Sequence, residues 1–185
     1  FSRELEILKG NIYGVKVGLE MFTSEGPSSV EKLKKDGWTV FLDLKLHDIP
    51  NTVQAAAISA GNIGADYLTI HIASGKEALL AAKESKPENL KLLGVSTALT
   101  SKAYSPEISQ KVYEDGVICP PSELFKTKEL FELIVTPGIR LKNDDSHDQK
   151  NITTPEKAIR DGASYLVMGR SVRQNINYVV EKLKL

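Results

Sequence analysis

Cysteine is almost absent from this chain of 185 residues, which contains only Cys119. A single cysteine cannot form a disulfide within the chain, so small secreted scaffolds that depend on disulfides are excluded. We therefore expect a reducing compartment, of which the cytoplasm is the simplest. The first residues, Phe1–Glu6, also lack the basic and then apolar order that is typical of a signal peptide.

An excess of charge of either sign is also lacking, because 24 Lys and Arg residues balance 24 Asp and Glu residues. A neutral chain has no overall field that would concentrate nucleic acid or an anionic membrane at its surface. Long apolar runs are missing too, since charged residues interrupt the 41% of residues that are hydrophobic. The sequence thus predicts no nucleic-acid binding and no membrane span, and any anion site must be local.

Strand-like and helix-like segments alternate along the chain, whose length fits one domain over residues 1–185. Helix-like stretches separate short β-branched or apolar runs, a pattern typical of a parallel sheet covered by helices. The predicted strands are Gly14–Leu19, Thr39–Leu46, Tyr67–Ile72, Lys91–Leu99, Gly116–Cys119, Glu132–Ile139 and Tyr165–Gly169. The predicted helices between them are Ser28–Asp36, Thr52–Gly61, Gly75–Ser85, Ser122–Leu130 and Thr154–Asp161.

Both a doubly wound sheet and a barrel agree with this alternation. A (β/α)8 TIM barrel needs eight strands, and this chain opens with a helix-like segment, Ser2–Lys9, that would normally follow one. The polar crossover between Leu99 and Gly116 is also short for a full helix. We therefore expect a barrel from which the first strand, and part of this crossover, are missing.

Charged residues interrupt two strands that otherwise belong in a core. Lys16 lies between Val15 and Val17, and Asp43 and Lys45 lie within the run that ends at Leu46. Residues two apart on a strand share a face, so Asp43 and Lys45 are predicted to point into the barrel while their leucine neighbours point away.

Asp48 follows the end of the second of these strands, just before a proline that ends the run. A structural ion-pair network is the common explanation for one such pair of charges. Four charges at the carboxyl ends of adjacent strands, where parallel-sheet enzymes keep their sites, favour a functional site instead.

The histidines and the cysteine do not indicate a metal site. We interpret His47 as packing at a strand end without a partner, and His71 as a satisfied or site-lining residue. No cluster of His, Cys and carboxylate residues has the spacing of a zinc site, so no metal is predicted.

An anion site is predicted at the other end of the chain. The last strand ends at Gly169 and Arg170, where backbone N–H groups and a guanidinium suit a phosphate. Barrels often bind phosphate after strands seven and eight. The turn from Pro137 to Arg140 ends the preceding strand, and the polar segment 142–151, which contains Gln149, is typical of a lid loop.

Taken together, these motifs resemble those of the orotidine 5′-monophosphate decarboxylase family. The decapeptide Asp43–Thr52, DLKLHDIPNT, is the most specific of them. The others follow in family order: Lys16-Val17-Gly18, Leu99-Thr100-Ser101, Val135–Arg140, Asp148-Gln149 and Gly169-Arg170. The resemblance implies a homodimeric barrel that converts orotidine 5′-monophosphate to UMP and CO₂ in pyrimidine biosynthesis, without cofactor or metal.

The resemblance also implies roles for individual residues. Lys45 resembles the proton donor to C6, and Lys16, Asp43 and Asp48 resemble the rest of a charged array. Asp48 and Thr52 would reach the partner subunit's site. Contacts with the pyrimidine are implied for Thr100 and Ser101, and contacts with the phosphate or lid for Pro137, Arg140, Gln149, Gly169 and Arg170. The family's first strand, with an aspartate that meets the ribose, has no counterpart in this chain.

Two alternative functions remain open at this point. One is a magnesium-dependent sugar-phosphate decarboxylase or aldolase of the same suprafamily, which shares the Asp-x-Lys-x-x-Asp strand end. The pattern of that group has a carboxylate at the position of Lys16 in this chain, and a second ammonium group at this position repels a divalent cation. A barrel that binds nucleotide phosphates without turnover is the other alternative.

Overall fold

Seven parallel strands form one sheet in this computed structural model, which describes residues 2–96, 115–141, 152–174 and 176–183. Each strand pairs with its neighbour in the chain, in the order β1 to β7. The strands are β1 (Val15–Gly18), β2 (Val40–Leu46), β3 (Tyr67–His71), β4 (Lys91–Val95), β5 (Gly116–Ile118), β6 (Ile134–Thr136) and β7 (Tyr165–Leu166). All seven predicted strands are confirmed, although most are shorter than their apolar runs.

Helices connect the strands on the outside of the sheet. They are α1 (Ser2–Leu8), α2 (Leu19–Glu25), α3 (Ser28–Lys35), α4 (Pro50–Asn62), α5 (Lys76–Ser85), α6 (Leu124–Thr127), α7 (Pro155–Asp161), α8 (Arg170–Gln174) and α9 (Ile176–Leu183). Short 3-10 turns, Ile72–Ser74 and Pro121–Glu123, precede α5 and α6. None of the described helices is long and apolar enough to cross a membrane.

The sheet is curled, because its two edges meet at their amino ends. Tyr13 lies two residues before β1, and its ring stacks on that of Tyr165 in β7 at 4.5 Å between centroids. The hydroxyls of Tyr13 and Tyr67 lie 3.0 Å apart, so the first residue of β3 joins the same cluster. A curled sheet of seven parallel strands fits a (β/α)8 barrel that lacks one strand, as predicted.

Alternate residues of the strands pack on opposite sides of the sheet. One set fills the concave interior and the other packs under the helices, so both faces are buried, as the uninterrupted apolar runs predicted. The interior cluster contains Tyr67, Leu93, Val95, Ile118 and Val135, with Phe41, Leu133, Tyr165 and Val167 packed against it. The outer clusters include Val17, Leu42, Leu68 and Leu92 on one half of the sheet and Val117 and Ile134 on the other.

A repeated hydrogen bond joins three pairs of neighbouring strands, β2 with β3, β4 with β5 and β6 with β7, at their amino ends. The residue just before β3, β5 or β7 accepts, with its side-chain oxygen, a hydrogen bond from the first or second backbone N–H of the preceding strand. The pairs are Asp66 with Val40 (2.7 Å), Asp115 with Leu92 (2.8 Å) and Ser164 with Ile134 (3.0 Å). These side chains satisfy N–H groups that the ladder leaves unpaired, and so hold neighbouring strands in register.

Several predicted boundaries were wrong for local reasons. Helix α4 begins at Pro50 rather than Thr52, because a proline in the first turn has no N–H to lose and its φ suits a helix. The segment predicted as one helix from Ser122 to Leu130 is a 3-10 turn followed by the short α6. Strand β6 ends at Thr136, since Pro137 and Gly138, with φ +78°, turn the chain. The sequence analysis missed α2, α8 and α9.

Candidate active site

A buried carboxylate lies at the centre of a cluster of charges carried by β1 and β2. Asp43 is 6% exposed. Its Oδ1 lies 2.7 Å from Lys45 Nζ, and its Oδ2 lies 3.3 Å from Lys16 Nζ. Both lysine side chains are about one third exposed, so they bind the buried carboxylate and remain partly open to solvent. The structure thus brings three of the four predicted charged residues, Lys16, Asp43 and Lys45, together.

The ammonium groups keep Asp43 ionised. Burial by itself raises the pKa of this carboxyl, because it disfavours the charged form. The hydrogen bond from Lys45, the positive charges of Lys16 and Lys45 and a hydrogen bond from Thr69 lower it by more. The pKa of Asp43 therefore lies below its ordinary value of 3.8, and the cluster contains a carboxylate at neutral pH.

A glycine leaves room for one of the two lysines. Gly18 is paired with Asp43 across β1 and β2. A Cβ atom at this position would lie 3.0 Å from Lys16 Nζ, closer than almost all real contacts of that kind. The missing side chain thus allows the Lys16 ammonium to approach Asp43 over the end of β1.

The strand that carries Asp43 and Lys45 is bulged, which the sequence did not reveal. Leu42 pairs with Leu68 and Leu46 pairs with Ile70, so four steps along β2 oppose two steps along β3. Lys45 has φ +52°, in the left-handed region that residues with a Cβ rarely adopt. The prediction of a regular strand was therefore wrong at this point, although Asp43 and Lys45 do lie together, as the alternation predicted.

Thr69 on β3 lies opposite this bulge and was not among the predicted site residues. Its Oγ1 donates a hydrogen bond to Asp43 Oδ1 at 3.1 Å and accepts one from the Lys45 backbone N–H at 2.8 Å. The side chain is fully buried. A lone threonine in an apolar strand is no signal in a sequence, and only the pairing of β2 with β3 identifies it.

The structure supplies a partner for His47, which the sequence analysis had left without one. The rings of His47 and His71 are tilted against each other with centroids 5.4 Å apart. Burial lowers the pKa of His71, and the positive charges of His47 and Lys45 lower it further. His71 is therefore a neutral side chain that lines the site beside Lys45 at neutral pH.

Asp48 and Thr52 lie outside the cluster in the same chain. Both are exposed, and Asp48 Oδ1 accepts a hydrogen bond from the Ile49 backbone N–H at 2.7 Å. Within the described ranges, no hydrogen bond or ion pair links Asp48 to Lys16, Asp43 or Lys45. The contribution of Asp48 and Thr52 to a partner's site stays a prediction.

The residues predicted to bind phosphate follow β6 and β7. Pro137 is half-buried, and the buried Arg140 donates from Nη1 to the Ile139 carbonyl at 2.9 Å. Gly169 is exposed, with open space where a side chain would lie, and Arg170 begins α8. Because all seven strands are parallel, these segments lie on the same rim as the charge cluster. Their binding of phosphate stays a prediction.

Some predicted features fall outside the residues that the structure describes. These are Thr100 and Ser101, the crossover that contains them, and Gln149 with its lid segment at 142–151. In the part of the chain that is described, no three His, Cys, Asp or Glu side chains are grouped so that they could hold a metal ion.

Comparison with known families gives one match that spans almost the whole chain. The model of the family described as "Orotidine 5'-phosphate decarboxylase / HUMPS family" matches residues 5–182.

Individual relatives agree with this match. An orotidine 5'-phosphate decarboxylase of Nitrosomonas eutropha is 40% identical over 189 residues, which cover 91% of this chain and 82% of that protein. One from Buchnera aphidicola is 37% identical over 98% of this chain and 86% of its own length. The crystal structure of orotidine 5'-phosphate decarboxylase from Lactobacillus acidophilus superposes with a TM-score of 0.75 at 29% identity, covering 99% of this chain and 92% of that one.

Acid should remove the stabilisation that the Asp43 carboxylate provides. The folded pKa of Asp43 lies below the ordinary value of 3.8, so this stabilisation is complete above about pH 4 and is lost as the pH falls through the folded pKa. We expect Asp43→Asn to lower the free energy of unfolding by about 1–3 kcal/mol at pH 7, because it leaves two ammonium groups without a counter-charge.

Urea unfolding of the wild type and of Asp43→Asn from pH 7 to pH 2.5 tests this prediction. The difference between the two proteins should shrink below pH 4. A difference that stays constant over the whole range would contradict it.

Proposed function

The chain belongs to the orotidine 5'-phosphate decarboxylase / HUMPS family, and we propose that it converts orotidine 5′-monophosphate to UMP and CO₂ in pyrimidine biosynthesis. In this proposal Lys45 donates the proton to C6, and no cofactor or metal takes part. The observation that carries it is the buried Asp43 carboxylate held between two ammonium groups on the carboxyl rim of the barrel.

The chemical difficulty of this reaction explains the need for such a cluster. Loss of CO₂ from C6 leaves a carbanion that the ring delocalises poorly. A fixed ammonium beside C6 stabilises the developing negative charge and then supplies the proton. Lys45 suits this role, because its ammonium is fixed by Asp43 at 2.7 Å while about one third of its side chain remains exposed.

Asp43 has two roles in the proposal. It fixes Lys45 and Lys16 before substrate arrives, so the charges need little reorganisation during the reaction. Next to the substrate carboxylate it would also repel the ground state, and that repulsion is relieved when CO₂ leaves. Its lowered pKa supports both roles, since each requires an ionised carboxylate at neutral pH.

The opposite part of the rim would hold the nucleotide. We propose that the phosphate binds at the turns that follow β6 and β7, and that Thr100 and Ser101 contact the pyrimidine. Binding energy from a remote phosphate can be used to order the reacting groups, and each tenfold gain in rate corresponds to about 1.4 kcal/mol. The phosphate and lid residues in this proposal are Pro137, Arg140, Gln149, Gly169 and Arg170.

A second copy of the chain would complete the site. We propose a cytoplasmic homodimer in which Asp48 and Thr52 serve the site of the partner subunit. Their exposure supports this, as does Ile49 between them, whose side chain is 65% exposed next to the rim. An apolar side chain in that position gains stability when another protein surface covers it.

The first test of the proposal is turnover by the 185-residue chain, followed as the loss of orotidine 5′-monophosphate absorbance with and without a metal chelator. We expect the same rate in both conditions. No loss of orotidine 5′-monophosphate, together with magnesium-dependent turnover of a sugar phosphate, would support the sugar-phosphate alternative. Binding of UMP without any loss of CO₂ from orotidine 5′-monophosphate would support the binding module.

Replacing Lys45 should separate chemistry from binding. We expect Lys45→Ala to lower kcat by at least about 10³-fold, because it removes both the proton donor and the transition-state charge. The affinity for UMP, measured by calorimetry, should change little, since the phosphate contacts lie on other strands.

The matched control is Lys34→Ala. Lys34 also forms a 2.7 Å ion pair, with Asp66, and its side chain is 33% exposed against 31% for Lys45. It lies on α3, away from the cluster, so kcat should stay at the wild-type value. An equal loss of binding and turnover in Lys45→Ala would show that Lys45 is structural.

Mixing two inactive variants tests the shared site. Lys45→Ala and Asp48→Ala should each be inactive alone. If Asp48 acts in the partner's site, random exchange of subunits makes half of the dimers mixed, each with one intact site, and about a quarter of the wild-type activity returns. No recovery, in a mixture shown by native mass spectrometry to contain the mixed dimer, would place Asp48 in its own subunit's site.

A further inference from the structure

The Thr69 hydroxyl connects the backbone of Lys45 with the carboxylate of Asp43. Its oxygen lies 2.8 Å from the Lys45 backbone nitrogen and 3.1 Å from Asp43 Oδ1. A backbone N–H can only donate, so the hydroxyl accepts from Lys45 and its own proton is directed to the carboxylate. One side chain thus satisfies the backbone of Lys45 and the side chain of Asp43 at the same time.

The bulge of β2 gives this contact its importance. Between Leu42 and Leu46 the ladder with β3 is interrupted, and Lys45 adopts φ +52°. In a regular strand the Lys45 N–H would bond to a backbone carbonyl, whereas here it bonds to the Thr69 side chain. The left-handed conformation is disfavoured for lysine and persists only where its surroundings hold it.

We infer that the Thr69 hydroxyl is a positioning group that holds the β2 bulge and thereby aims the Lys45 ammonium and the Asp43 carboxylate into the site. This inference rests on the proposed decarboxylation for its effect on rate, but the effect on the bulge is independent of any activity. Thr69 acts through Asp43 and Lys45 and needs no contact with substrate.

Substitutions at position 69 separate the hydroxyl from the shape of the side chain. Thr69→Val keeps the shape and removes both hydrogen bonds, and Thr69→Ser keeps the hydroxyl. We expect Thr69→Val to lower kcat by about 10- to 100-fold, with KM for orotidine 5′-monophosphate within about threefold of the wild type, because the proposed phosphate contacts lie in the turns after β6 and β7. Thr69→Ser should recover kcat to within about threefold.

Thr69→Ala protects the test against misfolding. In Thr69→Val a methyl group replaces an oxygen that lies 3.1 Å from Asp43 Oδ1, which is close for a carbon next to a carboxylate. Thr69→Ala removes the hydroxyl without this contact, and we expect the same loss of kcat.

Hydrogen–deuterium exchange of the Lys45 amide gives a readout that does not depend on turnover. This amide should exchange at least about tenfold faster in Thr69→Ala and Thr69→Val than in the wild type, and remain protected in Thr69→Ser. The matched control is Thr127→Val on α6. Thr127 is also buried, and its hydroxyl donates to the Glu123 carbonyl at 2.7 Å, away from the cluster, so Lys45 exchange and kcat should be unchanged.

The outcomes distinguish this inference from the proposed function. If the wild type shows no turnover, the proposed function fails, and faster Lys45 exchange in Thr69→Ala alone still supports the role of the hydroxyl. Wild-type exchange in both Thr69→Ala and Thr69→Val overturns the inference, whatever the activity. A loss of kcat in Thr69→Ser as large as that in Thr69→Ala also overturns it, because the hydroxyl would then not be the active feature.

Discussion

The Asp43 carboxylate is removed from water, and this requires that positive charge and hydrogen-bond donors be brought to it. An ion of this kind costs several kcal/mol to bury without partners. Lys45, Lys16 and Thr69 supply them from three consecutive strands. The relative positions of β1, β2 and β3 are therefore constrained by one side chain, and the bulge of β2 is part of the same constraint.

The interior of the sheet beneath the cluster is apolar. On β2, Phe41 lies two residues before Asp43, and on β3, Tyr67 lies two residues before Thr69, so both aromatic rings are nearer the amino ends of the strands. Tyr13 and Tyr165 pack against Tyr67 at those amino ends. Charges above such a layer interact more strongly than they would in water, because the surrounding medium is less polarisable. The tyrosine cluster therefore joins the two edges of the sheet at their amino ends, on the side away from the carboxyl rim.

Parallel strands explain how separate functions meet on one rim. The charge cluster comes from β1 to β3, and the proposed phosphate contacts come from the turns that follow β6 and β7. Every strand of a parallel sheet ends on the same side, so residues far apart in the chain face one opening. Side-chain acceptors such as Asp66 and Asp115 link neighbouring strands at the opposite end, where they do not compete with the site.

The sequence by itself determined the seven strands, their parallel arrangement and the meeting of Lys16 with Asp43 and Lys45. These features depend on local apolar runs and on charges within them, which are visible without a structure. Only the tertiary structure decided the bulge at Lys45, the role of Thr69 and the contact of His47 with His71, because each depends on how β2 is aligned against β3. That alignment is set by packing between residues some 25 positions apart, and no pattern along one strand contains it.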